Sequence, residues 1–151
     1  MKVHCLGWIA VLGLLLALTP FSSGQQDELR QQLDAAFKKG VAFYSNAQYA
    51  ESIPHFEKVL TLAPKVFGAE HPNTAGIMNT LGAAYLKSRN SDKALPLFKE
   101  CLRIREMLKD SNAVAASLNN LAHLYEELGQ YELAEPLYLR SLISMPVPAL
   151  C

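Results

Sequence analysis

The chain has 151 residues, with 14 Lys or Arg and 14 Asp or Glu, so its formal net charge is zero. This balance argues against a nucleic-acid-binding protein, which needs a positive surface to displace counterions from phosphate. Half of the residues are hydrophobic and 19% are charged, which argues against intrinsic disorder. The three cysteines are too few for a disulfide scaffold. The length and composition predict one ordinary folded domain.

The first element in chain order is a predicted signal peptide at residues 1–24. Lys2 precedes the uncharged apolar run Cys5–Leu18. That run fits a signal core of about 7–15 residues and is shorter than the roughly 20 residues of a spanning helix. Cleavage is expected after Gly24 and would leave no stable membrane span. The chain is therefore expected to be exported, to a periplasm or to the medium, and the alternative is an uncleaved signal anchor that tethers it to a membrane.

The rest of the chain has helical periodicity and no strand signal, which predicts an all-α fold. Residues 25–32 are polar and are expected to extend the first helix. Apolar residues then recur at three- and four-residue spacing, with Gly and Pro between the periodic stretches. The expected N-caps are Asn73 or Thr74, Ser91, and Ser111 or Asn112. The predicted helices span about 27–45, 48–63, 74–88, 91–107, 113–128 and 131–144.

Within these helices one pattern occurs three times. Each copy has a small residue and an aromatic residue on one helical face, followed by a second small residue and a second aromatic residue. The first and second copies are 42 residues apart, and the second and third are 40 residues apart. The copies read Lys39, Gly40, Phe43, Ser52 and Phe56; Leu81, Gly82, Tyr85, Ala94 and Phe98; and Leu121, Ala122, Tyr125, Ala134 and Tyr138.

The spacing of these residues has a physical reading. Small side chains on one helix face let a second helix approach closely, and the aromatic rings fill the space beside them. A Gly inside a helix costs about 1 kcal/mol relative to Ala, so Gly40 and Gly82 are expected to serve packing. Each copy is therefore a helical hairpin that must stack on a neighbour to bury its apolar face.

The pattern resembles the tetratricopeptide repeat (TPR), and the unit length of about 40–42 residues resembles repeats of the kinesin light chain type. The loop around His71 and Pro72 and the sequence Leu118–Ala122 are similar to that subfamily. The resemblance implies a short right-handed α-solenoid of three helix-turn-helix hairpins without a capping helix. The predicted repeats are 33–72, 73–112 and 113–146, followed by a tail at 147–151.

The resemblance also implies a groove for a protein or peptide, because the first helix of each TPR hairpin lines the concave face. An Asn amide both donates and accepts hydrogen bonds, so it can pair with a peptide backbone whatever the side chains are. Lys38 and Lys87 are expected to favour mildly acidic segments. Solvation or a hydrogen bond within the repeat is the alternative role for Asn119 and Asn120. The expected groove residues are Lys38, Val41, Asn79, Thr80, Ala83, Lys87, Asn119, Asn120, His123 and Glu127.

The C-terminal end of the array is a second predicted interaction surface. Solenoids normally end in a polar cap, whereas Leu137, Leu142, Ile143 and Met145 are expected to be partly uncovered here. Two alternatives to groove binding follow from this. One is a structural element that forms a homodimer through the third repeat, and the other is the recognition part of a larger multidomain protein.

Catalytic signatures are missing from the sequence, which has no G-x-S-x-G, P-loop, G-x-G-x-x-G or H-E-x-x-H. His55, His71 and His123 lie in different copies without the spacing of paired metal ligands. Cys101 is expected to be a small buried residue without a redox role. We therefore expect a non-catalytic binding scaffold that uses no metal and no cofactor.

Overall fold

The computed structural model describes residues 22–144, which form six α-helices and no strand. The all-α prediction is thus confirmed for this part of the chain, and no predicted helix end differs by more than four residues. Most of the predicted signal peptide, together with Met145 and the predicted tail at 147–151, lies outside the described residues. The helices are α1 (Ser23–Ser45), α2 (Tyr49–Val66), α3 (Pro72–Lys87), α4 (Ser91–Met107), α5 (Ser111–Glu127) and α6 (Tyr131–Ser144).

The six helices pack as three hairpins in a row. Helix α1 pairs with α2, α3 with α4, and α5 with α6, while α2 against α3 and α4 against α5 join consecutive hairpins. Each hairpin closes through a three-residue turn. The connection between the first two hairpins has five residues, 67–71, and the next has three, 108–110. This succession of hairpins is the α-solenoid that the repeats predict.

Close contact inside a hairpin depends on the missing side chain of a glycine. A Cβ atom built on Gly40 would lie 2.8 Å from a ring carbon of Phe56, and one built on Gly82 would lie 2.8 Å from a ring carbon of Phe98. Both rings are buried. The two glycines therefore admit the aromatic rings of the second helix directly against the backbone of the first.

The repeated pattern supplies much of the core. Tyr85 is buried because the middle hairpin has a neighbour on both sides, whereas the equivalent Phe43 and Tyr125 are half-buried in the outer hairpins. Tyr138 is also half-buried, and its hydroxyl donates to Glu126 at 2.8 Å. The buried members of the pattern are Gly40, Ser52, Phe56, Leu81, Gly82, Tyr85, Ala94, Phe98, Leu121, Ala122 and Ala134.

Each hairpin turn has, at the same place in each copy, a residue whose backbone is in the left-handed conformation. The φ angle is 59° at Ala47, 61° at Arg89 and 71° at Gly129. Only the third copy has the glycine that this conformation favours. The first two turns therefore hold a residue with a Cβ in a conformation that costs about 1–2 kcal/mol.

The predicted N-caps are wrong by one to three residues. Helices α3 and α5 begin two residues earlier than predicted, and α4 begins at Ser91 as predicted but has Asn90 as its N-cap. Pro72 occupies the first helical position of α3, where its missing N–H does no harm, so the cap falls on His71. The His71 Nδ1 accepts from the Asn73 N–H at 3.1 Å. Thr74 instead donates to the Gly68 carbonyl at 2.7 Å, which ties the inter-hairpin loop to α3. The observed N-caps of the three helices are His71, Asn90 and Asp110.

Candidate functional site

Helices α1, α3 and α5 are the first helices of the three hairpins, and each buries one face against its own second helix. Neighbouring first helices share the lining of cavities, and we call the surface of α1, α3 and α5 that carries these cavities the inner groove. Two cavities open along it, one between α1 and α3 and one between α3 and α5. Most of the groove residues predicted from the sequence lie on this surface.

The central feature of the inner groove is a hydrogen bond between two asparagines of neighbouring repeats. The Asn120 side-chain amide of α5 donates to the Asn79 carbonyl oxygen of α3 at 2.7 Å. Both side chains are half-buried. Asn79 keeps its two N–H donors, and Asn120 keeps its carbonyl oxygen and one N–H. The bridge therefore orients two amides that still have hydrogen-bonding capacity.

Asn119 has a different place from its neighbour Asn120. Its side-chain oxygen accepts from the Ser141 hydroxyl of α6 at 2.6 Å, so it lies at the contact within the third hairpin. This hydrogen bond is the alternative role that the sequence left open for Asn119. Adjacent residues of a helix point about 100° apart, which explains why one asparagine faces the groove and the other faces α6.

The cavity between α3 and α5, here called the amide cavity, has a volume of about 240 Å³. Lys87 and His123 bring polar, exposed side chains to it. The His123 Nδ1 lies 3.6 Å from a Glu127 carboxylate oxygen one helical turn away. The cavity thus combines donors at its mouth with an apolar floor. Its lining residues are Tyr44, Ala83, Leu86, Lys87, Phe98, Asn120 and His123.

The cavity between α1 and α3, here called the apolar cavity, is larger, at about 390 Å³. Gly76 leaves room for it, because a Cβ built there would meet no atom within 4 Å. The five-residue connection 67–71 supplies one wall through Phe67. The lining residues are Leu33, Asp34, Phe37, Phe67, Pro72, Asn73, Gly76, Ile77 and Thr80.

Of this lining, only Thr80 was predicted as a groove residue. Its hydroxyl donates to the Gly76 carbonyl at 3.0 Å. The predicted Lys38 and Val41 are exposed on α1 and line neither cavity. The missed signal is Phe37, a large aromatic residue that is 38% exposed on the same helix.

A partly buried hydrogen bond joins the first two hairpins through α2 and α3. The Tyr85 hydroxyl donates to the Glu57 carboxylate of the preceding hairpin, and the Lys93 ammonium lies 5.3 Å from the centre of the Tyr85 ring. Burial and the hydrogen bond to Glu57 raise the pKa of Tyr85 to about 12. The phenol therefore stays neutral at physiological pH and joins the first and second hairpins.

Residues 22–144 were also compared with the requirements of a metal site, a reactive thiol and a membrane-spanning helix. No group of three or more His, Cys, Asp or Glu side chains in this range could hold a metal ion. Cys101 is fully buried, and burial raises the pKa of its thiol. None of the six helices given above is both long and apolar enough to cross a membrane.

Similar solved structures share the fold. The TPR domain of Arabidopsis FLU aligns with a TM-score of 0.67 and 22% identity, over 76% of this chain and 95% of that one. BtubC from P. vanneervenii gives a TM-score of 0.70 and 17% identity, over 93% of this chain and 58% of that one. TPR-like repeats of P. anserina ascribed to a kinesin light chain give a TM-score of 0.65 and 24% identity, over 79% of this chain and 56% of that one. This chain thus spans little more than half of the last two.

The sequence itself also matches a known family. A comparison with curated proteins gives no match. A family model described as tetratricopeptide repeat matches residues 31–107 and 92–142, which is most of the chain and all three hairpins. This match and the repeated hairpin packing agree: the chain belongs to the tetratricopeptide repeat family.

Proposed function

We propose that this chain is a non-catalytic scaffold that binds a protein or peptide segment in the inner groove. The TPR fold is in general a protein-interaction fold. The observation that carries the proposal is the bridge between Asn79 and Asn120, which holds two amides in the groove with free donors and an acceptor. Asn120 lines the amide cavity, and Asn79 lies on α3, whose residues line both cavities, which suits a segment that crosses the three first helices.

The proposed mechanism is backbone pairing with limited side-chain selection. An extended segment accepts from the free N–H groups of Asn79 and donates to the free oxygen of Asn120. At the amide cavity, the Lys87 ammonium favours an acidic side chain of the partner. Because the bridge already orders both asparagines, less side-chain entropy is lost on binding.

Replacement of Asn120 by Ala is expected to weaken peptide binding by about 5- to 20-fold. The substitution removes one direct hydrogen bond and also releases Asn79, and a net hydrogen bond contributes about 0.5–1.5 kcal/mol. Fluorescence anisotropy with a labelled peptide, selected from a displayed random library on the full chain, measures the change. Far-UV circular dichroism should show unchanged helicity.

Asn119→Ala is the matched control for this prediction. It removes the same side chain one residue away, but the lost partner is Ser141 within the hairpin. It should leave peptide affinity unchanged and lower stability slightly. Equal affinity losses in the two variants, or none with Asn120→Ala, would exclude the asparagine bridge as the binding element.

We also propose that the chain acts outside the cytoplasm. The support is the sequence of residues 1–24, with its basic start and short apolar run. Mass spectrometry of the full chain expressed in a secretion-competent host should show loss of these residues. An intact chain that sediments with membranes would favour the signal-anchor alternative instead.

A second candidate function is self-association through the third hairpin. Leu142 is 67% exposed, whereas Leu102, at the same place in the second repeat, is 8% exposed because the next hairpin covers it. Ile143 is 76% exposed, and Leu137 is half-buried. An open copy of a position that is otherwise buried supports contact with another chain, or with further repeats of a longer protein.

Leu142→Lys is expected to convert a self-associated form into a monomer, since a charge at this position cannot be buried in an apolar contact. Light scattering after size-exclusion chromatography, over a wide range of concentrations, gives the mass of both proteins. Leu108→Lys changes another exposed leucine, outside the third hairpin, and serves as the control. A starting protein that is monomeric at every concentration would rule out this candidate.

A further inference from the structure

The apolar cavity is open space in the inner groove, and its inner wall includes Leu33 and Ile77, which belong to a buried core cluster. Four of its lining residues are large and apolar: Leu33, Phe37, Phe67 and Ile77. Its volume of about 390 Å³ is within the range of ligand sites. Phe37 contacts the fully buried Phe56, with 6.0 Å between ring centres, yet stays 38% exposed. One side of an aromatic residue is thus left open toward the groove.

The absence of a side chain at Gly76 keeps this cavity open. Gly76 lies within α3, where a Gly lowers helix stability. It differs from Gly82 of the same helix, because a Cβ on Gly82 would touch Phe98 whereas a Cβ on Gly76 would meet no atom. Packing therefore explains Gly82 and not Gly76. A side chain at position 76 would occupy the cavity.

One charged residue lines the cavity, and a second charge, the Arg30 guanidinium, lies 6.0 Å from the ring centre of Phe67 in its wall. Asp34 is the single charged residue among the lining residues, and it is exposed. Arg30 and Lys38 lie one turn away on α1, but no cationic group among the described residues is within 4.0 Å of the Asp34 carboxylate. The Thr80 hydroxyl already donates to Gly76, which leaves its oxygen as an acceptor. The rim therefore offers acceptors to a group that donates hydrogen bonds.

We propose that the apolar cavity is the anchor subsite of the inner groove and takes a bulky apolar side chain of a protein segment with a Lys or Arg next to it. The apolar side chain fills the space between Phe37 and Ile77, and the adjacent cation pairs with Asp34. This inference rests on the proposed function and names the class of segment that the groove selects.

The test uses the full chain and four synthetic labelled peptides of equal length on one polar background, with Phe-Lys, Phe-Glu, Ala-Lys or Ala-Glu at the centre. Fluorescence anisotropy measures their dissociation constants. The Phe-Lys peptide should bind tightest. Exchange of Phe for Ala should weaken binding about tenfold or more, as expected for a large buried apolar side chain. Exchange of Lys for Glu should weaken it several-fold.

Three variants assign these effects to the cavity. Gly76→Leu places a side chain in the cavity and should remove the preference for Phe over Ala. Gly76→Ala is its matched control and should retain most of that preference. Asp34→Asn should remove the preference for Lys over Glu and keep the preference for Phe. Thermal unfolding confirms that each variant is folded, and both Gly76 variants should be at least as stable as the starting protein.

The outcomes separate this inference from the proposed function. If Asn120→Ala weakens binding of the Phe-Lys peptide and Gly76→Leu does not, the groove binds peptides and the cavity is not its anchor. If neither substitution changes the affinity, both the inference and the groove function are wrong. Equal affinity for all four peptides, or no binding of any of them, also overturns the inference.

Discussion

Phe98→Ala is expected to lower the free energy of unfolding by about 3–5 kcal/mol, the cost of removing a fully buried aromatic ring. Phe98 is 2% exposed and lies in the largest core cluster, against the backbone of Gly82. Small domains have a total stability of about 5–15 kcal/mol, so the variant should lose a large fraction of it. Urea unfolding followed by far-UV circular dichroism measures the difference.

Phe37→Ala is the matched control for this prediction. It removes the same type of side chain from this protein, but at a position that is 38% exposed toward the inner groove. Its loss of stability should be less than about half that of Phe98→Ala, because less apolar surface leaves a buried environment. Equal losses in the two variants would mean that the contact with Gly82 contributes little to the fold.

Gly82→Ala is expected to lower stability by about 1–3 kcal/mol, although Ala is the better helix former by about 1 kcal/mol. The new Cβ would lie 2.8 Å from a ring carbon of Phe98, so the two helices of the middle hairpin must separate or the buried ring must shift. Gly76→Ala makes the same change six residues earlier in α3, where the Cβ meets no atom. It should raise stability by about 0.5–1 kcal/mol. Thermal and urea unfolding of the two variants should therefore show stability changes of opposite sign.

A double variant tests the cause of the Gly82 effect. Phe98→Leu removes part of the ring that the new Cβ would meet, so Gly82→Ala should cost less in the Phe98→Leu background than in the starting protein. Additive losses would contradict the proposed clash and would place the cost of Gly82→Ala elsewhere. The same comparison can be made at Gly40 and Phe56 of the first hairpin, where the contact distance is also 2.8 Å.

The hairpins and their order were predictable because they depend on short-range periodicity. The helical spacing of apolar residues, the equal separation of Gly82 from Tyr85 and of Ala94 from Phe98 across the copies, and the turns near Asn90 and Gly129 are all local signals. Each observed helix end lies within four residues of the predicted end. The repeated pattern also indicated the family, which the match over residues 31–142 now shows.

The candidate site was predictable only in part. The sequence predicted both Asn119 and Asn120 for the groove, but one accepts from Ser141 of its own hairpin and the other bridges to Asn79 of the neighbouring repeat. The two residues have the same chemistry and adjacent positions. Which of them faces the groove depends on the rotation of α5 about its axis, and packing against α4 and α6 sets that rotation.

Long-range packing decided the remaining features. The apolar cavity lies where α1 and α3 come together with Phe67 as one wall, and it stays open because no side chain at Gly76 fills the space. Periodicity along the chain was enough for the helices, the hairpins and the family, since those arise from neighbours in sequence. The cavities and the orientation of each polar side chain arise from neighbours in space, and only the packed array specifies them.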